Sequence, residues 1–237
     1  MAGVPVVLAL DIATTTGVCF GPIGAQPPLL QWGSRDFSGA GKSNGEIIAL
    51  FRGWVAARCY AIRPSLIIME SPYVPVGSKP GGGAPMNPNT LRRLLGMTGA
   101  VEAIGWELKT PVREVVSAAF TKFITGKGQY KKREEKKAAV IAACRFLGCD
   151  VRGNDEADAV AIWLFAEGIL SPRAAEHRRR LAADRDRELN GAGPLFGHNG
   201  GPPLGKENAP QGASLRSVMQ PLASGESHGA KMQVTYR

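Results

Sequence analysis

The first 176 residues contain no histidine, since His177, His198 and His228 all lie in the last third of the chain. Chemistry in this region therefore has no imidazole for a general base or a zinc site. It must use carboxylates, lysines, hydroxyls or thiols. The four cysteines form no CxxC pair and no dense framework, which argues against a disulfide scaffold and predicts a reduced, cytoplasmic protein. No internal repeat is present.

Long apolar runs are also missing from the chain. No stretch approaches the roughly 18 residues that a membrane span needs. The apolar start, Val4 to Leu10, has no basic segment before it and is interrupted by Asp11, so we expect no signal peptide. The sequence thus predicts a protein without a membrane segment.

Positive charge is abundant. The chain has 237 residues, 44% of them hydrophobic, and a formal net charge of +9. Its length and apolar content are enough for one core, or for one core with a tail. The charge suits a polyanionic partner, either nucleic acid or an anionic membrane surface.

Apolar patterning predicts an α/β fold. Continuous apolar runs indicate buried strands, and apolar residues at helical spacing indicate helices. Strands come first and then alternate with helices, which predicts a mixed sheet: an antiparallel meander followed by parallel strands, flanked by helices. The predicted strands are 6–12, 18–20, 29–37, 65–70 and 112–116, and the predicted helices are 44–62, about 89–106, 117–124, 132–146 and 155–170.

Composition changes after Ser171-Pro172, which predicts a domain boundary there. Residues 172–190 are highly charged, and Gly, Pro, Asn and Ser are frequent from Gly191 onward. We therefore predict a folded domain over residues 1–172 and a basic, Gly/Pro-rich flexible tail over residues 173–237. Within the domain, residues 71–88 are rich in proline and glycine and predict a long loop.

Four carboxylates stand where buried elements end or begin. Asp11 and Glu70 each end an apolar run, and Asp155 and Asp158 lie three residues apart at the start of a predicted helix. Such carboxylates are costly to desolvate unless a cation compensates them. If the two strands are neighbours, the four side chains can surround two divalent metal ions, which activate water and stabilise the leaving oxygen of a phosphodiester.

Each carboxylate also has a structural interpretation. Asp155 alone would serve as a helix N-cap, Asp11 as a turn residue and Glu70 as a surface strand end. The segment Gly39–Ser43 suggests a P-loop, but Asp36 stands where that loop needs glycine. The segment Asp11–Gly17 also suggests the phosphate loop of sugar kinases and actin, whose two-lobed proteins are longer and want glycine in place of Ala13.

Four blocks occur in order along residues 5–170. They are Leu8-Ala9-Leu10-Asp11 with Thr16-Gly17, Leu66-Ile67-Ile68-Met69-Glu70 with Tyr73, Thr125-Gly126-Lys127-Gly128, and Asp155-Glu156-Ala157-Asp158-Ala159. In this order and spacing the chain resembles the RuvC-like Holliday junction resolvases of the ribonuclease H-like superfamily. The resemblance implies a ribonuclease H-like fold and a structure-selective endodeoxyribonuclease of DNA recombination and repair. It also implies paired nicks in four-way or other branched DNA, leaving 5′-phosphate and 3′-hydroxyl ends.

The resemblance also implies roles for particular residues. Asp11, Glu70, Asp155 and Asp158 would be the catalytic set that holds Mg²⁺ or Mn²⁺, two ions per site. Tyr73 would stack on a base near the junction crossover. Lysines would hold the DNA backbone close to the scissile phosphate; these are Lys122, Lys127 and Lys132.

Partner and substrate alternatives stay open at this point. Two symmetric cuts predict a two-fold homodimer, with Leu91 to Trp106 as a candidate interface helix. The basic segment Lys122–Lys137 predicts salt-sensitive binding to the DNA backbone. A ribonuclease H-like nuclease for forks, flaps or RNA–DNA hybrids, or a non-catalytic DNA-binding relative, fits the same pattern. The sequence does not decide whether a branch-migration motor is a partner.

Overall fold

The computed structural model describes residues 3–26, 29–39, 42–72 and 87–190. Its strands form one five-stranded sheet in the order β3-β2-β1-β4-β5. The strands are β1 Val6–Asp11, β2 Thr15–Pro22, β3 Gln31–Asp36, β4 Leu66–Glu70 and β5 Val112–Val115. The helices of the described ranges are α1 Asn44–Ile62, α2 Pro88–Glu107, α3 Ser117–Thr125, α4 Arg133–Phe146, α5 Asn154–Leu170 and α6 Pro172–Asn190.

The sheet is mixed, which confirms the predicted α/β fold. Strands β1, β2 and β3 form an antiparallel meander, and β1, β4 and β5 run parallel to one another. Strand β1 lies in the centre, with helices against both of its faces. This position explains its continuous apolar run, because alternating polarity is needed only where one face meets water.

Two apolar cores cover the two faces of the sheet. Leu8 and Leu10 of β1 face α1 and α2. Val7 and Ala9, which alternate with them, face α5, whose Trp163 is fully buried. Helix α5 contacts both β1 and β2 and carries an apolar surface on nearly every side, as a helix at the centre of a domain does.

The helices α1 and α2 begin at capped residues. Ser43 and Glu46 form a reciprocal capping box at the start of α1. Helix α2 starts earlier than the sequence predicts, because the Asn87 side chain accepts a hydrogen bond from the Asn89 N–H and Pro88 occupies the first helical position. Among the described residues, no helix combines the length and apolar character that a membrane crossing requires.

The packed domain continues beyond the predicted boundary at residue 172. Helix α6 packs on α5 through an ion pair between Arg178 and Glu167, whose side chains are 2% and 1% exposed. Arg178 also donates hydrogen bonds to the Gln26 side chain and the Ala25 carbonyl. Residues 173–188 therefore belong to a packed helix and not to the expected flexible tail. The rest of the predicted tail, 191–237, lies outside the described residues.

Candidate active site

Asp11 and Glu70 end neighbouring parallel strands. Strands β1 and β4 align with Leu10 opposite Met69, so the next residue of each strand is one of the two carboxylates. Asp11 is 8% exposed, and Glu70 is half-buried. Because Ala9 faces α5 and side chains alternate along a strand, Asp11 points to the α5 side of the sheet.

A glycine lets α5 approach Asp11 closely. Gly17 of β2 pairs with Asp11, and a Cβ at Gly17 would lie 1.8 Å from the backbone carbonyl oxygen of Asp155. Any other residue at this position would therefore push the start of α5 away from the sheet. The glycine thus places the first turn of α5 directly beside the end of β1.

Asp155 and Asp158 lie on one face of α5, at positions three residues apart. Asp155 is not the N-cap, since Gly153 occupies that position and offers no side chain. The neighbouring Glu156 accepts a hydrogen bond from the Arg152 N–H. Asp155 therefore does not serve as the N-cap, and the half-buried carboxylates of both aspartates act on Asp11 at the end of β1.

Negative charge from the neighbouring carboxylates acts on Asp11 and Asp158. The pKa of Asp11 lies well above its ordinary value because of burial, and then because of the negative charges of Asp158, Glu70 and Asp155. Burial, together with the negative charges of Glu70 and Asp155, raises the pKa of Asp158 to about 6 against the opposing charge of Lys136. Side chains from β1, β4 and α5 thus share one electrostatic cluster, which we call the carboxylate cluster.

The carboxylate cluster has the donor chemistry of a hard divalent cation. Its oxygens are the ligands that Mg²⁺ and Mn²⁺ prefer, and their accumulated negative charge is what a cation would relieve. The Asp11 and Glu70 carboxyls are close enough for a hydrogen bond between them. However, within the described ranges no three His, Cys, Asp or Glu side chains are grouped tightly enough to form a complete metal site. The residues fit the cation by charge and chemistry, without a closed ligand shell.

Two lysines of α4 face the carboxylate cluster. Lys136 lowers the pKa of Asp158, and Lys137 lowers the pKa of both Asp158 and Asp155. The Lys136 ammonium also donates a hydrogen bond to the Ser117 hydroxyl. The sequence included these two lysines in its basic segment but did not select them as site residues.

The three lysines selected from the sequence are not among the charges that act on the carboxylate cluster. Lys122 is in the last turn of α3, Lys127 stands 4.9 Å from the Tyr130 ring centroid, and Lys132 precedes α4 as its N-cap residue. None of the three forms an ion pair in the described part of the chain. Their predicted contact with DNA stays a prediction. Tyr73 lies outside the described residues.

No protein-family model matches the chain, and no curated protein matches it. Solved structures do match. The structure of RuvC from Thermus thermophilus aligns with a TM-score of 0.51 at 19% identity, over 70% of this chain and 96% of that chain. T. thermophilus RuvC in complex with Holliday junction substrate aligns with a TM-score of 0.52 at 18% identity, over 70% of this chain and 95% of that chain. The yeast mitochondrial Holliday junction resolvase Ydc2 aligns with a TM-score of 0.44 at 16% identity, over 76% of this chain and 83% of that chain.

The similarity to RuvC concerns the fold. The mixed sheet and its flanking helices have the ribonuclease H-like arrangement of that protein. The four blocks read from the sequence supply the ends of β1 and β4, the turn after α3 and the start of α5. The carboxylate cluster therefore lies where three of these four blocks meet in the fold.

Proposed function

We propose that the protein is a divalent-metal-dependent endonuclease that resolves four-way junctions or other branched DNA. One observation carries the proposal: carboxylates from β1, β4 and α5 gather at one edge of a RuvC-like sheet, where they raise the pKa of Asp11. Lysines from α4 adjoin them. Cations beside a carboxylate cluster are the combination that phosphodiester hydrolysis requires.

Asp11, Glu70, Asp155 and Asp158 would hold Mg²⁺ or Mn²⁺, with two ions balancing the charge of four carboxylates. When bound, such ions supply Lewis-acid stabilisation of the charge that develops on a phosphodiester during hydrolysis. The protein side chains position the substrate. Lys136 and Lys137 would bind the backbone phosphates next to the cluster, and the buried strand ends limit water around Asp11.

A homodimer would place two such sites on one junction. Resolution needs two symmetric cuts, and an isologous interface supplies two equivalent sites. Helix α2 carries Leu95 and Trp106 on the same side, since they are three turns apart, and these side chains are 43% and 84% exposed. We propose that this side of α2 contacts the second subunit.

Cleavage of synthetic DNA tests the proposed function. The purified chain would be incubated with a four-way junction, a fork, an RNA–DNA hybrid and a linear duplex, each with Mg²⁺, Mn²⁺ or EDTA. We expect paired nicks in the junction with either cation and none with EDTA. Equal cleavage of the linear duplex would contradict junction selectivity, and preferred cleavage of the fork or the hybrid would identify a different ribonuclease H-like nuclease.

Substitution of Asp11 separates catalysis from binding. Asp11→Asn should abolish cleavage, with a loss of at least about 100-fold in rate, while junction affinity is retained. Asp150→Asn is the matched control, because the Asp150 side chain is 96% exposed and its charge is not among those that shift the pKa of Asp11, Asp155 or Asp158. Undiminished cleavage by the Asp11 variant would remove the carboxylate cluster from the mechanism. Binding without any metal-dependent cleavage by the unaltered chain would indicate a non-catalytic relative.

A further inference from the structure

Arg93 is held beside the loop that follows Asp11. Its Nε donates a hydrogen bond to the Asn44 side-chain oxygen at 3.0 Å, and its Nη1 donates one to the Thr14 hydroxyl at 3.3 Å. Thr14 stands three residues after Asp11, just beyond the end of β1. Asn44 at the start of α1 and Thr14 of the β1–β2 loop therefore fix the guanidinium of this α2 residue at the edge of the sheet that carries the carboxylate cluster.

Within residues 3–26, 29–39, 42–72 and 87–190, Arg93 has no acidic partner. Both of its hydrogen-bond acceptors are neutral, and it belongs to none of the ion pairs of the described residues. The same two helices do pair an arginine where they meet farther along, since Arg52 of α1 contacts Glu107 of α2 at 2.6 Å. At Arg93 the neutral acceptors orient the guanidinium, and no carboxylate of the described residues pairs with its positive charge.

The guanidinium also keeps donors for a ligand. Arginine has five N–H groups in a planar fork, of which two are used by Asn44 and Thr14. The half-buried position restricts the side chain, so little conformational entropy remains to be lost when an anion binds. A planar, oriented fork of free N–H groups is the preferred partner of a phosphate, which it can bind with two hydrogen bonds.

Arg93 and the α4 lysines lie on opposite sides of the sheet. Helix α2 packs on the face that contains Leu8 and Leu10, whereas α5, with α4 beside it, packs on the face that contains Ala9. The end of β1 is thus bordered by cations from both faces. A DNA strand crossing this edge would meet Lys136 and Lys137 on one side of Asp11 and Arg93 on the other.

We propose that Arg93 is a phosphate-binding residue that holds the DNA backbone on the α2 side of the carboxylate cluster. This inference rests on the proposed function and adds a second backbone contact to it. Asn44 and Thr14 are the positioning residues for the guanidinium. The ligand is a backbone phosphodiester near the scissile bond, separate from the one that the α4 lysines bind.

Salt titration of DNA binding by the full-length chain tests the proposal. Each protein cation that neutralises a phosphate contributes about 0.9 to the slope of log affinity against log salt. Arg93→Ala should lower junction affinity by about tenfold at moderate salt and reduce that slope by about one. Arg92→Ala is the matched control, since Arg92 is the exposed neighbour on the same turn; it should change both quantities much less.

Two further variants separate the contact from a structural role. Arg93→Lys keeps the charge and the aliphatic stem but loses the fork, so affinity should fall several-fold while the slope is preserved. Asn44→Ala removes one hydrogen bond that orients the guanidinium but keeps the guanidinium itself. Junction affinity should again fall several-fold while the salt slope is preserved. If Arg93→Ala proves unstable, the role of Arg93 is tested instead with Arg93→Lys. The affinities of this variant and of the original chain are measured for junctions in which one phosphate is replaced by a neutral methylphosphonate. A methylphosphonate at the contacted position should lower the junction affinity of the original chain by about tenfold and that of the lysine variant by less.

The outcomes distinguish this inference from the proposed function. An unchanged salt slope in folded Arg93→Ala, or equal sensitivity of both chains to every methylphosphonate, overturns the role of Arg93. If the original chain binds DNA but cuts no junction, only the proposed function fails. The role of Arg93 is then tested by the same salt titration with linear duplex. A chain that binds no DNA at all overturns both.

Discussion

Gly17 is the residue that sets the distance between α5 and the sheet. A Cβ there would lie 1.8 Å from the Asp155 carbonyl oxygen, which is backbone and cannot rotate away. The space that a side chain would need is therefore already filled by the first turn of α5. The geometry of the carboxylate cluster therefore depends on a residue that has no side chain.

We predict that Gly17→Ala displaces α5 from the sheet. The unfolding free energy should fall by about 1–3 kcal/mol, as in other overpacked cores, and junction cleavage should fall more than junction binding. Urea denaturation and the cleavage assay measure the two effects. Gly33→Ala in β3 is the control, since no atom lies within 4 Å of the position that its Cβ would take. Equal behaviour of the two variants would show that close approach at Gly17 is unimportant.

Asp158 makes the stability of the metal-free protein depend on pH. Burial raises its pKa to about 6, so the folded chain binds this proton more tightly than the unfolded chain, whose carboxyl titrates near 3.8. The stabilisation is therefore fully present below pH 4 and is lost as pH rises to about 6. Bound Mg²⁺ favours the charged form and would oppose this loss.

We predict that Asp158→Asn removes part of this pH dependence. In EDTA, the unfolding free energy of the original chain should fall relative to that of the variant between pH 4 and pH 6, by an amount on the order of 1–3 kcal/mol. Denaturation at several pH values measures the difference, and added Mg²⁺ should raise the midpoint of the original chain more than that of the variant. Parallel pH profiles in EDTA would be inconsistent with a raised pKa.

At the scale of elements, α5 connects the carboxylate cluster to α6. Its first turns carry Asp155 and Asp158, and its last turns carry Glu167, which is fully buried against Arg178 of α6. Glu167 also accepts a hydrogen bond from the Gly24 N–H. The helix is thus anchored at both ends, by close packing at Gly17 and by a buried ion pair.

We predict that Arg178→Ala destabilises the domain by about 3–5 kcal/mol, because it leaves the Glu167 charge buried without its partner. Thermal and urea denaturation measure the loss. Arg180→Ala, which removes a largely exposed partner of Glu176, should cost no more than about 0.5 kcal/mol. A loss below about 1 kcal/mol for the Arg178 variant would mean that α6 contributes little to the fold.

Strands and helices were predictable from the sequence where a clear apolar pattern determined them. The apolar run that ends at Asp11 and the helical spacing over residues 44–62 match β1 and α1 closely. Packing between distant elements was not predictable. Arg178 is surrounded by charged neighbours in the sequence, and nothing local distinguishes it from Arg179 or Arg180; only Glu167, in another helix, makes it a buried residue.

The same limit applies to the lysines of the site. Lys132 and Lys136 are the same residue type and stand four positions apart. The charge of Lys136 acts on Asp158, whereas that of Lys132 is not among the charges that do. Which side of α4 meets α5 depends on tertiary packing, and charge composition alone does not reveal it. The carboxylates were more predictable, because the end of a buried strand and the start of a helix fix where a side chain can lie.

At the scale of the whole molecule, the exposed side of α2 bears on assembly. Trp106 is 84% exposed, and Leu95 lies on the same side of the helix. Exposed aromatic and aliphatic side chains in one stripe are typical of interfaces. A dimer formed there would present two carboxylate clusters to one symmetric substrate.

We predict that Trp106→Glu makes the protein monomeric. Light scattering with size-exclusion chromatography should give about 50 kDa for the original chain, twice the chain mass of 25.1 kDa, and about half of that for the variant. The variant should still nick a junction, but its two nicks should lose their coordination. Tyr60→Glu tests specificity, since Tyr60 is exposed on α1 and not on this stripe. A monomeric original chain would contradict the homodimer.

The chain order of the carboxylates has a consequence for biosynthesis. Asp11 lies in the first strand, whereas Asp155 and Asp158 lie in the fifth helix, so translation adds the last two long after the central strand has emerged. A ribosome-bound chain that already contains the sheet still lacks half of the cluster. Under the proposed function, the nascent polypeptide should therefore cleave no DNA until the first turns of α5 have been synthesised and folded.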